Sequence, residues 1–244
     1  MYTLFSKEIK SFFSNLTGYI VIVVFLVING LFMWVFPGAN NVLDAGYANM
    51  DTLFSIAPWI FLFLVPAITM RMFADEKKSG TIELLLTRPI GDFSVILSKY
   101  LAALVLVLLA LIPTLVYFWS IYFLGNPVGN LDTGGIVGSY IGLFFLAAIY
   151  AAVGLFSSLI TDNSIIAFIV AVVISFFLYT GFESISSLPL FGSADSKIAA
   201  LGINAHYNSI SRGVIDSRDI IYFLSAIILF LYGGKLVLAS RKWS

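Results

Sequence analysis

A chain of 244 residues with 60% apolar side chains, 11% charged side chains and zero formal net charge holds more apolar surface than a water-soluble fold can hide, since soluble domains are about 25% charged. The bilayer is therefore its solvent. Zero net charge argues against a nucleic-acid partner, which needs a positive surface, and the lack of cysteine excludes disulfides and thiolate metal sites.

Phe5, Ile9, Phe12, Phe13 and Leu16 recur at helical spacing, while Lys7, Lys10 and Ser14 fall away from them. This pattern predicts an amphipathic helix lying among membrane lipids at the interface, apolar side down. Runs free of Lys, Arg, Asp and Glu then cover residues 11–43, 52–70, 100–131, 133–161, 163–182 and 220–234. A membrane helix needs about 20 largely apolar residues, and these runs lack the alternation of barrel strands. They predict an all-α polytopic membrane protein, one transmembrane domain over residues 1–244 with spans near 17–36, 53–73, 94–124, 136–159, 164–183 and 219–240. The first run ends in bulky Trp34-Val35-Phe36 without a small-x-small site, which predicts an uncleaved span.

Pro58 and Pro66 fall inside the second span. Each frees a carbonyl that a neighbour must satisfy, and a hinge and a static kink both fit. The stretch RMFADEKKSGTIELLLTRP, residues 71–89, then carries seven charges of a chain that has only 13 basic and 13 acidic residues. After the Ser79-Gly80 break, Thr81 to Thr87 should form a short helix, with Glu83 near its positive end and Pro89 closing it. Ile82, Leu85 and Leu86 share one face. An apolar ridge rimmed by both signs of charge suits a groove on a soluble partner; a helix resting on headgroups fits the residues equally well. Asp92 is placed to cap the third span.

In the fourth span Gly134, Gly138 and Gly142 recur every four residues, followed by Ala147 and Ala151. Small residues at this spacing mark a close-packing face, met either within the chain or by a partner subunit. Residues 184–218 form the longest outside segment, with enough apolar residues for one or two short helices before the sixth span. Lys99, Glu183 and Lys235 sit at helix ends and read as snorkelling or anchoring groups.

Basic residues collect on the cytoplasmic side. Lys7, Lys10, Arg71, Lys77, Lys78, Arg88, Lys99, Lys235, Arg241 and Lys242 would share one side, against Lys197, Arg212 and Arg218 on the other. Both termini and the charged stretch are thus expected in the cytoplasm. The chain has no phosphate-cradling G-x-x-x-x-G-K-[ST] loop, and its one histidine, His206, cannot make a two-histidine metal site. No catalytic residue, metal or cofactor is expected, and energy for mechanical work must come from another molecule.

EKKSGTIELLLTRPI with Lys99 after it resembles the signature of the permeases of type-2 ABC transporters, and HYNSISRGVIDSRDIIYF resembles the same family. Its EKxxGTIE motif falls on Glu76, Lys77, Gly80, Thr81, Ile82 and Glu83. The resemblance implies that this segment is a coupling helix seated on a separate cytoplasmic ABC ATPase. Glu76, Lys77, Lys78, Glu83 and Arg88 would then make charge contacts, and Ile82, Leu85 and Leu86 the apolar ridge. It further implies a bacterial inner-membrane permease subunit, not itself an enzyme, that pairs with a second membrane subunit or a second copy. ATP hydrolysis in the partner would drive export or gliding motility. A non-transporting scaffold, or a force-transmitting subunit of a motility or secretion machine, shares these features.

Overall fold

The computed structural model describes residues 1–87, 91–188 and 195–240, and the regular elements among them are helices. Helix α1 (Tyr2–Ser14) meets α2 (Leu16–Gly30) at an elbow, where Asn15 is extended at φ −105° and ψ 139°. A π-turn over Leu31–Val35 completes the first span. Helix α3 (Val42–Ala45) lies in the following loop, capped by Asn41, whose side-chain oxygen accepts from the Leu43 amide at 2.9 Å.

Helix α4 (Asp51–Thr69) breaks at Met70 and resumes as α5 (Arg71–Lys78). Gly80, at φ +70°, then turns the chain into α6 (Thr81–Leu86). That left-handed geometry is costly for any residue with a Cβ, so glycine is required there. Helix α7 (Asp92–Leu111) passes through a 3-10 turn at Ile112–Thr114, around Pro113, into α8 (Leu115–Leu124). Helix α9 (Thr133–Ile160) is unbroken. Helix α10 (Ser164–Phe176) continues through a π-turn at Phe177–Gly181 into α11 (Phe182–Ser186). Two short helices, α12 (Asp195–Ala199) and α13 (Ile203–Ser211), precede α14 (Ser217–Ser240).

Six helical stretches are long and apolar enough to cross a membrane: Gly18–Val35, Asp51–Lys78, Asp92–Leu124, Thr133–Ile160, Ser164–Ser186 and Ser217–Ser240. The chain is thus an all-helical, multi-pass membrane protein. The second stretch continues to Lys78, past the expected end at 73, because α5 carries the helical path on through the charged residues. An even number of crossings returns the chain to its starting side. We call that side, with α1, α5 and α6, proximal; the side with α12 and α13 is distal.

Helix α9 is the hub, packing against α4, α7, α10, α13 and α14. Lipid gives apolar helices no reason to associate, so close van der Waals contact must do so. A Cβ on Gly138 would lie 2.5 Å from the Ile210 carbonyl oxygen, and one on Gly142 would lie 3.2 Å from the Tyr207 ring. Both glycines therefore face α13. Ala147 and Ala151 are buried inside the bundle. Gly134 is exposed at the distal end, with its backbone against Gly213. The small-residue face is thus met mainly within this chain.

Pro58 removes the amide that would bond the Phe54 carbonyl, and the Tyr207 hydroxyl donates to that oxygen at 2.7 Å. The carbonyl that Pro58 frees in α4 is thereby satisfied from α13. Asp92 does not hold the cap position expected for it. Gly91 does, in an extended conformation, and Asp92 is the first residue of α7.

Candidate functional site: a buried charge cluster behind the charged stretch

Four charged side chains from three helices meet at the proximal end. Helix α1 supplies Lys7 and Glu8, α5 supplies Glu76, and α7 supplies Lys99. The Lys99 ammonium donates to Glu8 Oε1 at 2.7 Å and to the Met72 carbonyl at 2.6 Å, and lies 3.1 Å from Glu76 Oε1. It also sits 4.9 Å from the centre of the Phe73 ring. Three oxygens thus match the three donors of an ammonium that has no exposed side-chain surface. Lys7 reaches the same Glu76 oxygen at 2.8 Å from the rim. Burial lowers the Lys7 pKa, but the hydrogen bond and charge of Glu76, with the charge of Glu8, raise it further; the net shift is upward.

Lys99 is therefore no snorkelling group. Two ammoniums and two carboxylates balance, and the structure spends this neutral set on joining α1, α5 and α7. Glu8 carries the signal that was missed. It lies three residues after Phe5 and four before Phe12, within the apolar stripe of α1. An acid on an apolar stripe needs a buried partner.

Helix α5 is also held from α9. Ser158 Oγ accepts from the amides of Phe73 and Ala74, each at 3.0 Å, and donates to the Met70 carbonyl at 3.0 Å. The Lys77 ammonium bonds the Leu159 carbonyl. Two of the charges expected to meet a partner, Glu76 and Lys77, are thus engaged by their own chain.

Beyond α5 the chain tightens. The Ser79 hydroxyl donates to the Asp75 carbonyl at 2.8 Å and lies 2.9 Å from the Thr81 hydroxyl. Gly80, Thr81 and Glu83 are exposed, as is Lys78. Ile82, expected on the ridge, is 2% exposed and belongs to the core, because α6 turns that residue back toward the bundle. Leu84 points outward, 69% exposed. Leu85 and Leu86 lie in α6, but their side chains fall outside the described residues, as do Arg88 and Pro89 entirely. Arg241 and Lys242, counted for orientation, lie outside them too.

At the distal end His206 Nδ1 lies 2.6 Å from Asp219 Oδ1 and Nε2 lies 2.8 Å from the Ala200 carbonyl oxygen. The ring stacks on Tyr222 at 3.9 Å. His206 thus fastens α13 to the start of α14. Among the described residues no cluster of potential metal ligands occurs.

No curated protein matches the chain. Residues 2–211, most of the chain from α1 through α13, match the family model described as "ABC-2 family transporter protein". Six crossings, a charged arm between the second and third, and that match make the chain a member of the ABC-2 transporter family, as a transmembrane permease subunit of the kind that works with an ABC ATPase.

Proposed function

We propose that α6, with Thr81, Glu83 and Leu84 at its surface and Lys78 exposed at the end of α5 beside it, is the coupling element on which a separate ABC ATPase acts. The observation that carries this reading is the arrangement of α5 and α6. The outward residues of α6 are free of intrachain burial, while α5 behind them is tied to α1 and α7 through Glu76 and to α9 through Ser158 and Lys77. A push on α6 reaches α1 and two further spans, those of α7 and α9, through α5. ATP binding shifts the bundle only if the ATPase grips α6 differently in its nucleotide states.

On this reading the proximal end is cytoplasmic, the membrane is the bacterial inner membrane, and residues 1–244 form a single transmembrane domain. Leu85, Leu86 and Arg88 complete the docking surface with Lys78 and Glu83. Glu76, Lys77 and Ile82 act one step behind it, as positioning groups. The stretches APWIFLFLVPAITMRMFADEKKSGTIELLLTRPI and GINAHYNSISRGVIDSRD resemble the gliding-motility permease subunit GldF of Bacteroidota, which favours motility as the process served. The second membrane component is then a GldG-like subunit or a second copy of this chain. A force-transmitting scaffold uses the same coupling surface, and ATP-dependent uptake into inverted vesicles separates it from an exporter.

The absence of cysteine allows a direct test by single-cysteine labelling. Glu83→Cys should react in inverted vesicles and become protected when the ATPase is added, whereas Lys197→Cys should react only from the opposite side. Labelling of Glu83→Cys in intact cells by an impermeant reagent, or no protection in the assembled complex, overturns the assignment.

A further inference from the structure

Beside the charge cluster lies an open cavity of about 370 Å³, lined by α1, the Asn15 elbow, α2, α4 and α5. Its walls differ in kind. Ile20, Val21, Ala67 and Ile68 line the side formed by the spans, and Lys7, Glu8, Arg71, Asp75 and Glu76 line the charged side, where Glu8 is already paired with Lys99. Arg71 and Asp75, one helical turn apart, make no ion pair among the described residues. Glu76 has a second oxygen, Oε2, that is buried without a hydrogen-bond partner. An orphaned buried carboxylate oxygen costs free energy and calls for a donor.

We propose that this cavity holds the headgroup of a phospholipid bearing a primary amine. The walls carry both signs, so a zwitterion matches them better than an anion does. The Arg71 guanidinium, beside Lys7, suits the phosphate diester, because a planar fork of donors fits two phosphate oxygens. The ammonium supplies N–H donors to Asp75 and, once the Glu76 carboxylate turns its unpartnered oxygen toward the cavity, to Glu76; a trimethylated headgroup has none to offer. The glycerol end and first methylenes of the acyl chains then run along Ile20, Val21, Ala67 and Ile68, at the level where the first and second spans enter the apolar layer. The bound lipid would brace the elbow between α1 and α2 against α5. The site is independent of the ATPase reading, since it needs only that the proximal end face headgroups.

The test is native mass spectrometry of the delipidated full chain in detergent, titrated in parallel with phosphatidylethanolamine, phosphatidylcholine and phosphatidylglycerol of matched acyl chains. The ethanolamine lipid should be retained roughly tenfold more tightly than the choline lipid, the value of one charge-assisted hydrogen bond. Arg71→Ala with Asp75→Asn should remove that preference, and Ile68→Trp, which fills the apolar wall, should weaken retention of all three lipids. Equal retention of the ethanolamine and choline lipids by the unaltered chain overturns the proposal whether or not the variants fold. A preference for the glycerol lipid, or an ethanolamine preference that survives the double substitution, overturns it as well.

Discussion

At the proximal end α1, α5 and α7 are joined by four charged side chains, whereas at the distal end α13, α4 and α9 are joined by glycine close approach and by two neutral hydroxyl-to-carbonyl bonds, Tyr207 to Phe54 and Ser139 to Ser211. The proximal set is built of long side chains sharing a single oxygen, Glu76 Oε1, so partners can be exchanged while charge stays balanced. The distal set is backbone pressed on backbone at Gly138 and Ile210, which either fits or does not. Under the proposed coupling, a push arriving from the proximal side meets adjustable contacts first and rigid ones at the far end.

The contrast can be broken most severely at Lys99. Lys99→Met should cost about 3–5 kcal/mol, because it strands Glu8 and Glu76 inside the protein. Unfolding in detergent followed by tryptophan fluorescence measures this, and adding Glu8→Gln should restore part of the loss. A Lys99→Met protein as stable as the parent would show that water, and not the lysine, satisfies those carboxylates.

Next comes the distal packing. Gly138→Ala should cost about 2 kcal/mol, since the obstructing atom is a backbone oxygen that cannot rotate away, while Gly134→Ala should stay within about 0.5 kcal/mol. Equal effects at the two glycines would remove the case for close approach. Tyr207→Phe should cost about 1 kcal/mol through the carbonyl that Pro58 frees. Proton exchange of the neighbouring α4 amides should rise with it.

The smallest effect belongs to Lys7, whose side chain is 60% exposed. Lys7→Ala should cost less than about 1 kcal/mol. Its pH dependence has a definite sign. The folded pKa is raised, so the contribution is fully present below the unfolded lysine value of about 10.4 and is lost as pH rises through the folded one. Stability of the parent should therefore fall faster than that of Lys7→Ala in strongly alkaline buffer and run parallel to it at neutral pH. Parallel curves throughout would place Lys7 outside the cluster.

The six spans were legible because the bilayer leaves little freedom: a charge-free run of sufficient length has few other fates. The short distal helices and the small-residue face of α9 were legible for a similar reason, one from apolar content and the other from spacing. What each face meets was not legible. Helical periodicity groups Ile82 with Leu85 and Leu86, but it cannot say that α6 turns Ile82 inward after a left-handed glycine. Lys99 and Glu8 are 91 positions apart, and the Tyr207 bond to Phe54 spans 153. Pairings of that range are set by how helices stack, which no local pattern encodes. Within the charged stretch, motif resemblance treated Glu76 and Glu83 alike, yet the fold points one into the bundle and leaves the other exposed.

The joint at Met70 has a further implication. The opening amides of α5 are held by a serine hydroxyl 85 positions away, so the group that fixes α5 belongs to a different span from the one that carries it. If α5 moves as the proposed coupling requires, it must either drag the hub with it or let go of that hydroxyl. The first outcome turns a local nudge into a rotation of the whole bundle; the second uncouples the two.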